Sequence, residues 1–264
     1  MRFVLTLAAF LGLTLSASAQ DWAKEKLSKS PRHGEYVKVK HGNREVQSFV
    51  VYPEVKEKAT CVIVIHEIFG LSDWAKLVAD EFAEAGYIAI APDLLSGSGP
   101  NWGGTDELKG DVRKVISTLK PDQITADLKA CEEYVTKLPA SNGKAVVAGF
   151  CWGGSQSFRY ATNSKSIKAA LVFYGTGPND AAEYKAINGP VYGFYGENDN
   201  RVNSTIAKSK DAMKKLEKTY EPIEYKGAGH GFMRAGEDPA NKVEGNKTGR
   251  EDAWKRIKDI LKKI

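Results

Sequence analysis

Three side chains far apart in the sequence could together carry out nucleophilic chemistry. Cys151 stands in Gly149-Phe150-Cys151-Trp152-Gly153, a G-x-nucleophile-x-G turn with cysteine where serine is usual. A nucleophile on a strained strand-to-helix turn needs glycine two residues before and two after, because neighbouring backbones must pass there. Its backbone N–H groups then sit at a helix N-terminus, whose partial positive charge favours a thiolate and an oxyanion alike. Two glycines beside a cysteine could arise by chance, but the strand pattern before and helix pattern after argue for the turn. A thiol also needs a base and a group to orient that base, in the chain order nucleophile, acid, histidine. Only His230, within Gly227-Ala228-Gly229-His230-Gly231-Phe232, follows Cys151 as a histidine. For the acid, Asp199 lies directly after a predicted strand, with Glu197 and Asp180 as competitors.

A second cluster, His66-Glu67-Ile68-Phe69-Gly70, ends an apolar run. A zinc-binding H-E-x-x-H helix would need histidine at position 70, where this chain has Gly70, so the metal reading fails there. No metal and no cofactor is expected. The backbone N–H of Ile68 is the candidate second oxyanion donor, paired with that of Trp152. Glu67 brings a carboxylate close to the thiol, where negative charge opposes ionisation. His66 reads equally well as a packed, hydrogen-bonded histidine.

The elements that must hold these groups follow from periodicity. Residues 35–39 and 46–52 alternate around His41-Gly42-Asn43, predicting a β-hairpin at a sheet edge. Apolar strands are predicted at 60–65, 87–91, 144–148, 167–174, 191–195 and 223–225. Helices are predicted at 72–85 (closed by Gly86), 122–138, 153–161, 202–218 and 250–264. Residues 94–121 begin with Gly, Ser, Pro and Asn and continue into a short charged helix over 108–119, which reads as an insertion above the sheet. Alternating strands and helices imply an α/β, mostly parallel doubly wound sheet, and one domain over 20–264. In such sheets functional groups collect beyond the carboxyl ends of the strands.

Met1-Arg2, the apolar run from Phe3 to Leu15 and Ala17-Ser18-Ala19 form a secretory signal pattern over 1–19, cleaved before Gln20. The protein is therefore expected to be exported, periplasmic or extracellular, with no stable membrane insertion. Without residues 1–19 the chain carries 37 Lys+Arg against 33 Asp+Glu, too mild an excess to imply a nucleic-acid partner. Three cysteines cannot all pair with one another, and the absence of C-x-x-C argues against a thiol-redox role. A monomer acting on a small-molecule ester or lactone is expected.

These motifs, together with Pro92-Asp93-Leu94, resemble the dienelactone hydrolase family over nearly all of residues 46–262. The resemblance implies an α/β-hydrolase fold and a Cys151-His230-Asp199 triad that opens enol-lactones through an acyl-enzyme, as in carboxymethylenebutenolidase-like activity. It implies that Glu67 keeps the resting thiol protonated until substrate displaces it. It also implies two arginines that hold a substrate carboxylate. Arg234, four residues after His230, matches one. The other is missing: Leu95-Ser96-Gly97 follows Leu94, and Arg113 in the insertion is the candidate replacement. The alternatives are a short-chain carboxylesterase or thioesterase acting on neutral substrates, and a non-catalytic ligand-binding member of the fold.

Overall fold

The computed structural model describes residues 20–264, so the leader expected over 1–19 lies outside the described residues. Eight strands form one sheet in the order β1-β2-β4-β3-β5-β6-β7-β8. They are β1 Gly34–His41, β2 Arg44–Val51, β3 Ala59–Ile65, β4 Ile88–Pro92, β5 Ser141–Phe150, β6 Ala170–Phe173, β7 Val191–Gly196 and β8 Tyr220–Tyr225. The β1–β2 hairpin pairs antiparallel with itself and with β4, and every other pairing is parallel. Every residue of β3 and β4 is buried, as a strand covered on both faces requires. This is the α/β-hydrolase fold, as the resemblance implies.

Helices α1 Asp21–Ser28, α2 Asp73–Glu84 and α10 Glu244–Leu261 cover one face, with Trp74, Phe82, Phe150, Phe173 and Trp254 in the core beneath them. On the other face α5 Pro121–Thr136, α6 Trp152–Asn163 and α8 Ile206–Lys215 cover Ile63, Val147, Val172 and Val191. Four short helices complete the set: α3 Thr105–Leu108, α4 Val112–Ile116, α7 Asn200–Asn203 and α9 Phe232–Ala235. Among the described residues no helix is long and apolar enough to cross a membrane.

The hairpin, the order of strands and helices, and Gly86 just past α2 (φ 99°) agree with the sequence reading. Four segments differ. Helix α1, which the pattern did not predict, packs Trp22, Ala23 and Leu27 into the core. The helix expected over 108–119 breaks into α3, a 3₁₀ turn and α4, because Lys109 adopts φ 49°. The helix expected over 202–218 splits into α7 and α8. There the side chains of Ser204 and Thr205 donate to the carbonyls of Arg201 (3.0 Å) and Val202 (2.7 Å), competing with the helical ladder. The last helix begins at Glu244 rather than at 250.

Candidate active site

The register of the sheet lines up the groups beyond its carboxyl edge. Ile65 pairs with Gly149, Phe150 with Phe173, Phe173 with Phe194, and Gly196 with Tyr225. His66, Cys151, Tyr174, Glu197 and Lys226 therefore leave their strands side by side. Cys151 follows β5 and caps α6 at φ 56° and ψ −117°, a strained backbone for a residue with a side chain. Gly149 and Gly153 allow the turn. A Cβ on Gly149 would stand 1.9 Å from the carbonyl oxygen of Gly153, and one on Gly153 would stand 2.4 Å from the carbonyl oxygens of Ile65 and His66. Trp152 is the first residue of α6, so helix geometry leaves its N–H without an intrahelical acceptor.

The structure brings Cys151, His230 and Asp199 together. His230 Nε2 lies 3.2 Å from Cys151 Sγ, and His230 Nδ1 lies 2.5 Å from Asp199 Oδ2. The hydrogen bond to Cys151 raises the imidazole to about 9; burial opposes this and Asp199 supports it. Asp199 is buried and sits at the N-cap of α7. The competing acids lie elsewhere: Asp180 is exposed and accepts from Ala182 N, while Glu197 accepts from Gly227 N at 2.8 Å and so braces the loop that carries His230. The other two thiols are buried. Cys61 lies 3.1 Å from Ser141 Oγ, and burial pushes the Cys131 thiol up to about 12.

Glu67 is buried at the same edge. Its Oε2 accepts from Arg234 Nε at 2.8 Å and its Oε1 from the Tyr174 hydroxyl at 3.2 Å. His66 is buried and packed, as the sequence reading allowed. Its Nδ1 donates to the Glu67 carbonyl at 2.8 Å, its ring stacks on Trp152 with centroids 5.4 Å apart, and burial pushes its pKa down. Ile68 is half-buried in the loop after β3, packed with Trp152 against the small cluster of Leu95, Val112 and Ile116 from the insertion.

The dienelactone hydrolase family model matches residues 46–264. A Methylorubrum extorquens protein provisionally named carboxymethylenebutenolidase is 31% identical over 212 residues, 75% of this chain and 70% of that one. This chain belongs to the dienelactone hydrolase family. A Saccharolobus solfataricus relative, likewise provisionally named carboxymethylenebutenolidase, is 29% identical and covers 83% of this chain and 95% of its own. The crystal structure of a provisionally named dienelactone hydrolase from Klebsiella pneumoniae superposes with a TM-score of 0.77 at 23% identity, covering 88% of this chain and 99% of that one. The protein is thus a hydrolase of the ester and lactone class.

Two features of this dienelactone hydrolase family member escaped the sequence reading. Tyr174, at φ 39°, is fully buried with its ring 5.1 Å from that of His230 and its hydroxyl on Glu67; burial, with the Glu67 charge adding to it, pushes that phenol well above its ordinary value. Its place directly after β6 is the signal that could have found it. The second feature is Phe69, whose ring is approached by two guanidinium groups, that of Arg234 at 5.1 Å and that of Arg113 at 4.9 Å. Helix α4 in the insertion thus brings Arg113 to the aromatic side chain that Arg234 also contacts.

Proposed function

We propose that this hydrolase cleaves a lactone or ester bearing a carboxylate, through an acyl-enzyme on Cys151. The Cys151–His230–Asp199 line of contacts is the observation that carries the reading. His230, oriented by Asp199, takes the thiol proton, and the sulfur attacks the carbonyl carbon. The N–H groups of Trp152 and Ile68 stabilise the oxyanion, each lowering the barrier by roughly 3 kcal/mol. The protonated imidazole then supplies the proton to the leaving oxygen, and a water activated by His230 releases the acid. The signal pattern at 1–19 supports an exported enzyme.

The preference for an anionic substrate is supported by Arg113 and Arg234 beside Phe69. Arg234 is a poor single test, since its removal also leaves the buried Glu67 without its cation. Arg113 is exposed and is the cleaner probe. Arg113→Ala is expected to raise KM for a carboxylate-bearing lactone about tenfold, the loss of one charge-assisted contact, and to leave a neutral aryl ester within about twofold. Equal effects on both substrates in steady-state assays would favour the neutral-ester alternative.

Glu67 is proposed to restrain the thiol. Its bonds to Arg234 and Tyr174 keep this carboxylate at the sheet edge from which Cys151 also emerges, and negative charge near a thiol opposes its ionisation. Glu67→Gln is expected to accelerate iodoacetamide alkylation of Cys151 several-fold without substrate, followed by intact mass. An unchanged rate would remove Glu67 from this role.

A further inference from the structure

A cavity of about 1030 Å³ opens between the β1–β2 turn, insertion residues 96–104 and the start of α5, and none of Cys151, His230, Asp199 or Glu67 lines it. Ser48 pairs with Pro92, which carries the β1–β2 turn beyond the carboxyl end of β4 and puts the cavity on the same edge of the sheet as Cys151.

Trp102 stands in its wall with 87% of its surface exposed, the most exposed large apolar side chain among the described residues. An indole presented outward in a concave wall offers a flat apolar face on which a ligand ring can stack. The loop that presents it is braced. Gly97 N donates to the Trp102 carbonyl (3.2 Å) and Gly103 N to that of Pro100 (3.0 Å), while buried Asp93 accepts from Thr105 N (2.7 Å) and Thr105 Oγ1 (2.8 Å). Two successive residues, Asn101 and Trp102, hold positive φ values of 53° and 63°, so the outward indole is a defined conformation kept at some cost.

The rest of the lining narrows the ligand. Its charges are mixed in sign: fully buried Asp127 holds His41 Nε2 (2.6 Å) and Arg44 Nε (2.9 Å), Lys38 lies 3.5 Å from a Glu45 that it shares with Lys40, and Asp122 adds a further carboxylate. An anion would meet the carboxylates of Glu45 and Asp122 as well as the cations, so the wall favours neither sign of charge. Apart from Trp102, Ala126 is the only apolar side chain larger than glycine in the wall, too little to enclose an apolar ligand. Beside these charges stand one flat indole face and the side-chain amides of Asn43, Gln47, Asn101 and Gln123, the last of which donates to Asp127 at 2.8 Å and keeps its oxygen for a ligand. A neutral polyhydroxylated ring matches both, offering C–H groups to the indole and hydroxyls to the amides.

We infer that this cavity is a carbohydrate-binding site, with Trp102 as the stacking platform for a neutral glycan chain. The inference stands apart from the proposed ester chemistry. The probes are xylohexaose, cellohexaose and chitohexaose, titrated into the purified protein by calorimetry and by indole fluorescence. At least one is expected to bind saturably with a fluorescence change, and Trp102→Ala to weaken it about tenfold or more, with Trp102→Phe in between. Trp102 is exposed, so its variants should keep the melting temperature and the rate of aryl-ester hydrolysis. Absence of binding by all three sugars at 10-fold millimolar excess, binding unchanged in Trp102→Ala, or preference for an anionic oligosaccharide would each overturn the inference.

Discussion

Replacing Cys151 with alanine is expected to lower kcat on an activated aryl ester by about 10⁴-fold or more, the scale seen when a nucleophile is removed from a group that works as a unit. Neither remaining thiol can take over, since Cys61 and Cys131 are buried in the core and Cys131 is pushed up to about 12. The turn should survive the change. Alanine at φ 56° is no more strained than cysteine, and the close approach of β5, α6 and β3 depends on Gly149 and Gly153. The wild type should also show a burst of alcohol release and a transient mass increase equal to one acyl group. Turnover within tenfold of wild type in Cys151→Ala would show that the reaction proceeds without this sulfur.

Much of this site was legible because its residues obey a topological rule. Cys151, Glu67 and Asp199 each follow an apolar strand run, and parallel strands in register bring such positions to one edge. Tyr174 obeys the same rule, yet nothing in its residue type distinguished it from a core tyrosine until its hydroxyl was seen on Glu67. Arg113 was legible only as a candidate. Its placement depends on the insertion breaking at Lys109 and turning α4 toward Phe69, which no periodicity encodes.

The early start of α10 was illegible for a different reason. Gly245 and Gly249 depress helix propensity, so 244–249 reads as loop. In the fold a Cβ on Gly245 would lie 2.2 Å from the backbone of Gly227, and Asn246 Oδ1 accepts from Gly229 N at 2.9 Å. The first turn of α10 is thus pressed against the loop that carries His230. Local propensity is given up there so that the loop is held from one side by α10 and from the other by Glu197.

That bracing makes the choice of acid testable by a second large effect. Asp199→Asn is expected to lower kcat by about 10³–10⁴-fold. The asparagine keeps an oxygen for the N-cap of α7, where Asp199 Oδ1 accepts from Val202 N at 3.4 Å, so the fold should persist. Its amide, however, can donate to His230 Nδ1. That would fix the proton on Nε2, the nitrogen 3.2 Å from the sulfur, and deny the thiol its base. The pH dependence should move as well. Because the folded value of His230 is raised to about 9, its contribution to stability is complete below the ordinary histidine value of about 6.5 and disappears as pH rises through about 9. Losing one of the groups that raises it should lower the folded value, so melting temperature in Asp199→Asn should depend less on pH between about 6.5 and 9 than in the wild type. Asp180→Asn should leave kcat unchanged, because that side chain is spent on its own turn. Glu197→Gln should cost less than Asp199→Asn, since it loosens only the base of the loop at Gly227. A loss in either control as large as that in Asp199→Asn would move the acid away from Asp199.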